Sequence, residues 1–154
     1  MMSDLLVVME KGVIRQIGDP GSTYRDPVHL FVAQFIGAYR INLIAGRLKE
    51  RLFISNDQAI TFKVKMNYQG QVLMGIRPEH LTVGAVEDVH FKGKVILVEP
   101  LGEFNLISLK VGQNEIRALS RETGEIHLST PVSLSFTKAY FFEAESGARL
   151  RPDS

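Results

Sequence analysis

The first 37 residues combine two strand patterns with one helical pattern. Short apolar runs at residues 5–9 and 13–17 flank the turn-forming stretch Glu10-Lys11-Gly12, which predicts a β-hairpin. Glycine and proline at residues 18–21 then end the strand pattern. Beyond them, apolar side chains recur at helical spacing at Val28, Phe31, Val32, Phe35 and Ile36.

The start and stop signals around that apolar stripe predict a helix. Asp26 is a residue type that caps helices, and Pro27 suits the first helical position because its missing N–H is not needed there. Gly37 supplies the stop. The run Gly21-Ser22-Thr23 is a poor helix former, which weakens any short helix before Arg25.

After residue 37 the pattern changes to alternating polar and apolar positions. Gly, Pro, Asn or Asp residues divide it into short strand candidates at residues 43–48, 52–55, 60–64, 72–76, 94–98, 106–111, 115–119 and 132–136. Many short strands with little helix predict a closed or sandwiched β architecture, because a small open sheet would expose reactive edges.

Composition narrows the functional classes. The chain has 154 residues, 45% of them hydrophobic and 23% charged, which is typical of a soluble globular protein. Its net charge of +1 gives no electrostatic reason to expect nucleic acid as the main partner. It contains no cysteine, which excludes disulfides and thiolate catalysis. No apolar run approaches the roughly 18 residues of a membrane helix, so we expect membrane contact only through a partner.

Candidate chemistry is sparse. The four histidines, His29, His80, His90 and His127, are scattered without metal-ligand spacing, so we expect no metal site. The only Gly-Lys pair is Gly93-Lys94, and it lacks the preceding glycine of a P-loop. We therefore predict no catalytic residue, and neither ATP binding nor hydrolysis by this stretch alone.

The run Gly75-Ile76-Arg77-Pro78-Glu79-His80 ends a predicted strand. Glu79 and His80 could act as acid and base, but no nucleophile motif lies nearby. A structural corner is therefore favoured, in which Arg77 and Glu79 form an ion pair or satisfy turn carbonyls.

The run at residues 75–80 resembles the signature of the transport-associated OB (TOBE) domain, which the ATP-binding subunits of sugar-type bacterial ABC importers carry at their C-terminus. Blocks at 42–46, 98–102 and 142–147 follow in the family's order.

The resemblance implies a mainly β, OB-fold-like TOBE barrel or sandwich at residues 38–154. Residues 1–37 resemble the end of the α/β nucleotide-binding domain, so the hairpin and helix are expected to be its remnant. The implied parent is an ABC transporter ATPase that uses ATP and Mg, lies at the cytoplasmic face of the membrane and imports sugars or glycerol phosphates. Its TOBE domain would regulate and dimerise the ATPase subunits. Expected partners are a second copy, the membrane subunits, and a regulatory protein or small effector.

The same resemblance makes Gly93, Glu99 and Phe142 candidates for the regulatory or dimer interface, although a core position for Phe142 is an equal alternative. One rival function is an effector or oxyanion site using Lys92, Lys94 and Arg117. A remoter one is binding of single-stranded nucleic acid on exposed aromatics. Separately, we predict that the first segment pairs with a second chain through the edge strand at residues 5–9 and its apolar stripe, made of Leu5, Val7, Phe31, Val32 and Phe35.

Overall fold

The structure is a computed structural model, and it describes residues 5–84, 89–121, 127–129 and 131–153. Within these ranges the chain is mainly β, as the sequence predicts. All strand pairs are antiparallel. Residues 1–4 of the predicted first segment lie outside the described part.

The predicted hairpin is confirmed. Strand β1 (Leu6–Glu10) pairs with β2 (Val13–Gly18) across a turn in which Lys11 and Gly12 both have positive φ. Two short helices follow, α1 (Pro20–Arg25) and α2 (Leu30–Phe35).

The predicted helix exists as α2, but its predicted start, with Asp26 as the cap and Pro27 at the first position, is wrong. The Asp-Pro signal that opens a helix is used earlier, at Asp19 and Pro20, where the Asp19 carboxylate accepts the Ser22 N–H at 2.9 Å. Asp26 instead ends α1 as its C-cap. Helix α2 begins after His29, whose Nδ1 accepts the Phe31 N–H at 3.0 Å. Histidine is not one of the usual capping residues, so the pattern did not reveal this start.

The remaining strands form two larger sheets. They are β3 (Asn42–Lys49), β4 (Leu52–Ser55), β5 (Thr61–Lys63), β6 (Gly70–Ile76), β7 (Leu81–Val83), β8 (Phe91–Pro100), β9 (Asn105–Val111), β10 (Asn114–Ser120), β11 (Pro131–Phe136), β12 (Tyr140–Glu143) and β13 (Arg149–Leu150). One sheet has the order β10-β9-β8-β11-β7 and the other β13-β12-β6-β3-β4-β5. A 3₁₀ turn at Pro78–His80 joins β6 to β7 and so carries the chain from one sheet to the other.

The main core lies between these two sheets. Strand β3 shows the expected alternation, with Ile44 and Leu48 buried and Arg47 and Lys49 exposed. Apolar side chains of both sheets pack into one buried cluster, as expected for a closed or sandwiched β architecture. We call these two sheets, from β3 to β13, the β domain.

Side-chain hydrogen bonds also tie the sheets together. The Asn42 amide donates to the carbonyls of Ile76 and Arg117 at 3.0 and 2.8 Å, and its oxygen accepts the Arg117 N–H at 2.8 Å. Asn42 thus bonds the backbone of β10, the last strand of the opposite sheet, which gives that edge a partner. Asp57, between β4 and β5, also connects the two sheets, because its carboxylate accepts the N–H of Gln113 in the β9–β10 turn at 2.7 Å.

Candidate functional site

Arg77 lies at the end of β6, and its side chain is fully buried. Its guanidinium donates to the carbonyl oxygens of Ile36 at 2.7 Å, Tyr24 at 3.1 Å and Ala33 at 3.4 Å. Tyr24 belongs to the last turn of α1, whereas Ala33 and Ile36 lie at the end of α2. One side chain of the β domain therefore binds the ends of both helices.

These acceptors explain how a buried cation is tolerated. The last carbonyls of a helix have no partner within the helix and carry partial negative charge. Two tyrosine rings also attract the cation through their electron-rich faces. The Arg77 guanidinium lies 4.2 Å from the Tyr24 ring centroid and 5.7 Å from the Tyr140 ring centroid. Carbonyl dipoles and ring faces thus stabilise the Arg77 charge.

The rest of the motif encloses Tyr24. Its hydroxyl donates to the Glu79 carboxylate, and the His80 ring approaches its ring edge-on at 6.3 Å. Burial, followed by the Glu79 hydrogen bond, raises the pKa of Tyr24, so the phenol stays protonated and remains a donor. Burial lowers the pKa of His80, which favours the neutral imidazole. The sequence allowed Arg77 and Glu79 either to pair with each other or to bond carbonyls. Arg77 bonds carbonyls, whereas Glu79 accepts a hydrogen bond from the Tyr24 hydroxyl.

Three further side chains reach the same segment. Lys138 and the Tyr140 hydroxyl donate to the Arg25 carbonyl at 2.7 and 2.9 Å, and Arg149 donates to Pro27 O at 2.9 Å. Arg149 also forms an ion pair with Asp26 at 3.1 Å. A hydrogen bond from Arg151, the largest influence, lowers the pKa of Asp26 and keeps it charged. We call this set of contacts, made by Arg77, Lys138, Tyr140 and Arg149 to residues 24–36, the junction.

Apolar packing backs the junction. Ala33 of α2 packs with Ile41, Tyr140 and Phe142 in a small buried cluster that is separate from the main core. The amide of Leu30 also donates to the Gly147 carbonyl at 2.8 Å, so α2 is bonded to the turn between β12 and β13. The helices are therefore held on the β domain by both polar and apolar contacts.

The other motif residues shape this corner. Gly75 and Ile76 are buried in β6, and Pro78 is buried at the start of the 3₁₀ turn. A Cβ on Gly75 would lie 2.9 Å from Ile41 Cδ1, so a larger residue at this position would require the end of the Ile41 side chain to shift.

The predicted interface residues lie apart from one another. Phe142 is fully buried beside Tyr140, Gly93 is buried in β8, and Glu99 is half-buried near the end of the same strand. A Cβ on Gly93 would lie 2.9 Å from the Lys110 carbonyl. Burial favours the alternative of a core aromatic for Phe142, and the interface at these residues stays a prediction.

The structure brings together only two of the three cations proposed for an oxyanion site, Lys92 and Lys94 but not Arg117. Lys92 and Lys94 line one shallow cavity together with Lys110, and β8 places Lys94 directly opposite Lys110. Arg117 lines a different cavity with Arg40.

The histidines are also dispersed. His29 caps α2, His80 contacts Tyr24, His90 packs among aromatic rings, and His127 is exposed. Among the described residues, no group of His, Asp and Glu side chains could hold a metal ion. No described helix has the length and hydropathy to cross a membrane.

Sequence reasoning missed most of the junction. The acceptor Tyr24 was not predicted to have a role, and neither were three of the donors, Lys138, Tyr140 and Arg149, because nothing in their local pattern marks them. The one available signal was chemical: an arginine that interrupts a buried apolar strand end needs several acceptors, and helix ends supply them.

Known proteins are similar to this chain over most of its length. Residues 74–140, which include the motif and Tyr140, match the family model of the TOBE domain. The chain is 35% identical to the sn-glycerol-3-phosphate import ATP-binding protein UgpC of Pectobacterium atrosepticum, over 97% of this chain and 44% of that protein. UgpC of Yersinia pestis is also 35% identical, over 98% and 44%. The uncharacterized ABC transporter ATP-binding protein YcjV of Escherichia coli O157:H7 is 28% identical, over 97% and 44%.

Residues 74–140 therefore form a TOBE domain, as the motif indicated, and nearly the whole chain is similar to proteins named as ABC transporter ATP-binding proteins. It spans less than half the length of the curated relatives it matches.

Proposed function

We propose that this chain is the regulatory and dimerisation part of the ATP-binding subunit of an ABC importer for sugars or glycerol phosphates. The parent would be an ATPase bound to membrane subunits at the cytoplasmic face. Support comes from the TOBE match and from the names of the relatives, two of which are glycerol-phosphate import proteins. In this proposal the β domain biases the open or closed state of the ATPase dimer.

The observation that carries the proposal is the junction. Arg77 is buried and bonded to three carbonyls at the ends of α1 and α2. Because strong, desolvated donors fix the helices against β6, a displacement of the β domain would move the helices with it. Such a connection suits a domain that transmits its state to a neighbouring ATPase domain.

A chimera tests the coupling. This chain replaces the matching part of the Pectobacterium UgpC protein, and import and ATPase activity are measured in the reconstituted transporter. We expect the chimera to couple the two activities, and Arg77→Ala to lower import per ATP hydrolysed. Arg47→Ala, an exposed arginine on β3, is the matched control. Equal coupling in both variants would contradict the proposal.

A second candidate function, anion sensing, is favoured by one observation. Lys94 and Lys110 face each other across β8 and β9, and Lys92 lies beside them. Like charges in directly opposed positions destabilise a sheet, and a bound oxyanion would relieve that repulsion. Calorimetric titration with phosphate and molybdate tests it, with Lys94→Gln as the variant that should weaken binding. Nucleic-acid binding remains the remote alternative.

A further inference from the structure

A cleft of about 500 Å³ opens between β5, the end of β11, and the β12–β13 hairpin. It is separate from the lysine cavity and from the interface residues predicted from the sequence. Its volume lies within the range of roughly 300–1,000 Å³ that small-molecule sites occupy.

Aromatic rings form the floor of this cleft. Phe62, His90, Phe136 and Phe141 all line it. The His90 and Phe136 rings are stacked, with centroids 4.0 Å apart and planes at 23°. Phe62 packs against Phe136 at 5.2 Å. Because Phe62, His90 and Phe136 are only half-buried, their rings remain partly open to a visiting molecule.

The rim of the cleft is cationic. Lys63, Lys65 and Lys138 are exposed there, whereas the charge of Arg149 is paired with Asp26. No acidic side chain occurs among the described residues that line the cleft. A concave apolar surface beneath several cations attracts an anion and strengthens its interactions.

We infer that this cleft binds a small molecule that joins a planar aromatic ring to one anionic group, a carboxylate, sulfonate or phosphate. The ring stacks on Phe62 and Phe136, and the anion lies at Lys63 and Lys65. Neither feature alone selects this class: the rings accept any planar apolar molecule, and the lysines accept any anion. This site goes beyond the proposed function, and binding to the chain alone tests it without reference to transport.

The test uses three probes of similar size. Naphthoate carries both features, naphthylmethanol lacks the charge, and decahydronaphthalenecarboxylate lacks the planar ring. Each is titrated into the isotope-labelled full chain, and amide shifts are followed by NMR. We expect naphthoate to bind about tenfold more tightly than either other probe, with shifts at residues 62–66 and 136–139, and its affinity to fall as salt rises.

Charge reversal at the exposed rim leaves the core intact. The double variant Lys63→Glu with Lys65→Glu should weaken naphthoate binding about tenfold, whereas Lys110→Glu, in the lysine cavity, should leave it unchanged. Phe62→Leu keeps the site apolar and should also weaken binding. The inference is overturned if naphthoate does not saturate these amides, if naphthylmethanol or decahydronaphthalenecarboxylate binds equally well, or if Lys110→Glu has the same effect as the double variant.

Discussion

At the residue scale, Arg77 is a buried cation that no carboxylate neutralises among the described ion pairs. Desolvating a cation costs several kcal/mol, and hydrogen bonds must offset that cost. The three carbonyls and two tyrosine rings do so only while residues 24–36 stay docked. The stability of the β domain and the position of the helices are therefore linked through this one side chain.

Arg77→Ala should destabilise the chain by roughly 2–5 kcal/mol, since it leaves a cavity and unpaired helix-end carbonyls. Urea unfolding gives the free energy, and hydrogen exchange should show the largest loss of protection in α2. Arg47→Ala, exposed on β3, should change stability by less than about 0.5 kcal/mol. Unchanged exchange in α2 would show that the guanidinium does not hold the helix.

His80 should make stability depend on pH. Burial lowers its pKa below 6.5, the positive charges of Arg77 and Lys138 act in the same direction, and Glu79 opposes them. The unfolded chain then binds more protons than the folded chain between the lowered pKa and 6.5, so the free energy of unfolding rises with pH in that window. The contribution is complete above 6.5 and is lost as pH falls.

The check is urea unfolding between pH 5 and pH 7, and His80→Gln should flatten the slope in this range. The aspartates with lowered pKa values, Asp19, Asp26 and Asp57, lose their contributions only below their ordinary pKa of 3.8, so they do not interfere. An equally steep slope in His80→Gln would assign the effect to another group.

At the element scale, strand β8 has one position, Gly93, that tolerates little change. A Cβ there would lie 2.8 Å from Val111 Cγ2 and 2.9 Å from the Lys110 carbonyl, and a backbone atom cannot easily yield. Gly93→Ala should therefore cost roughly 1–3 kcal/mol through overpacking. Gly18→Ala in β2 is the control, because its nearest neighbours are at 3.4 Å. If Gly93→Ala is as stable as the parent but loses self-association, the residue serves an interface instead.

The elements show where sequence reasoning succeeds. Strands with one solvent-exposed face, such as β3, can be predicted because their apolar and polar residues alternate. Strand β12 does not, because Tyr140, Phe141 and Phe142 are all buried and the period of two disappears. Strands β7 and β13 are too short to carry a pattern.

The junction escaped prediction for a different reason. Its bonds join residues 41 to 123 positions apart, and local periodicity contains no information about such pairs. The motif around Arg77 marked one of the four donors, and only the fold revealed the other three and the carbonyls that accept from them.

At the scale of the whole molecule, the first segment presents two unlike surfaces. Helix α2 faces the β domain, and its Val32 and Ala33 are fully buried. The hairpin instead exposes Leu5, Met9, Val13, Ile14 and Ile17, each more than half accessible to solvent. In the apolar stripe predicted to pair with a second chain, Val32 is therefore buried within its own chain. Leu5, Val7 and Phe35 are exposed to solvent and remain free to contact a partner.

Two truncations separate these surfaces. Deleting residues 1–18 removes the exposed hairpin but keeps the junction, so the β domain should stay folded and self-association should fall, because apolar area costs about 25 cal/mol per Å² in water. Deleting residues 1–37 also uncovers Tyr140 and Phe142 and leaves the Arg77 guanidinium without its acceptors, so stability should drop sharply. Light scattering across a dilution series and urea unfolding measure the two effects. If the shorter deletion leaves the oligomeric mass unchanged, the hairpin does not recruit a second chain, and a dimer that persists must form through the β domain or through the exposed Phe35 of α2.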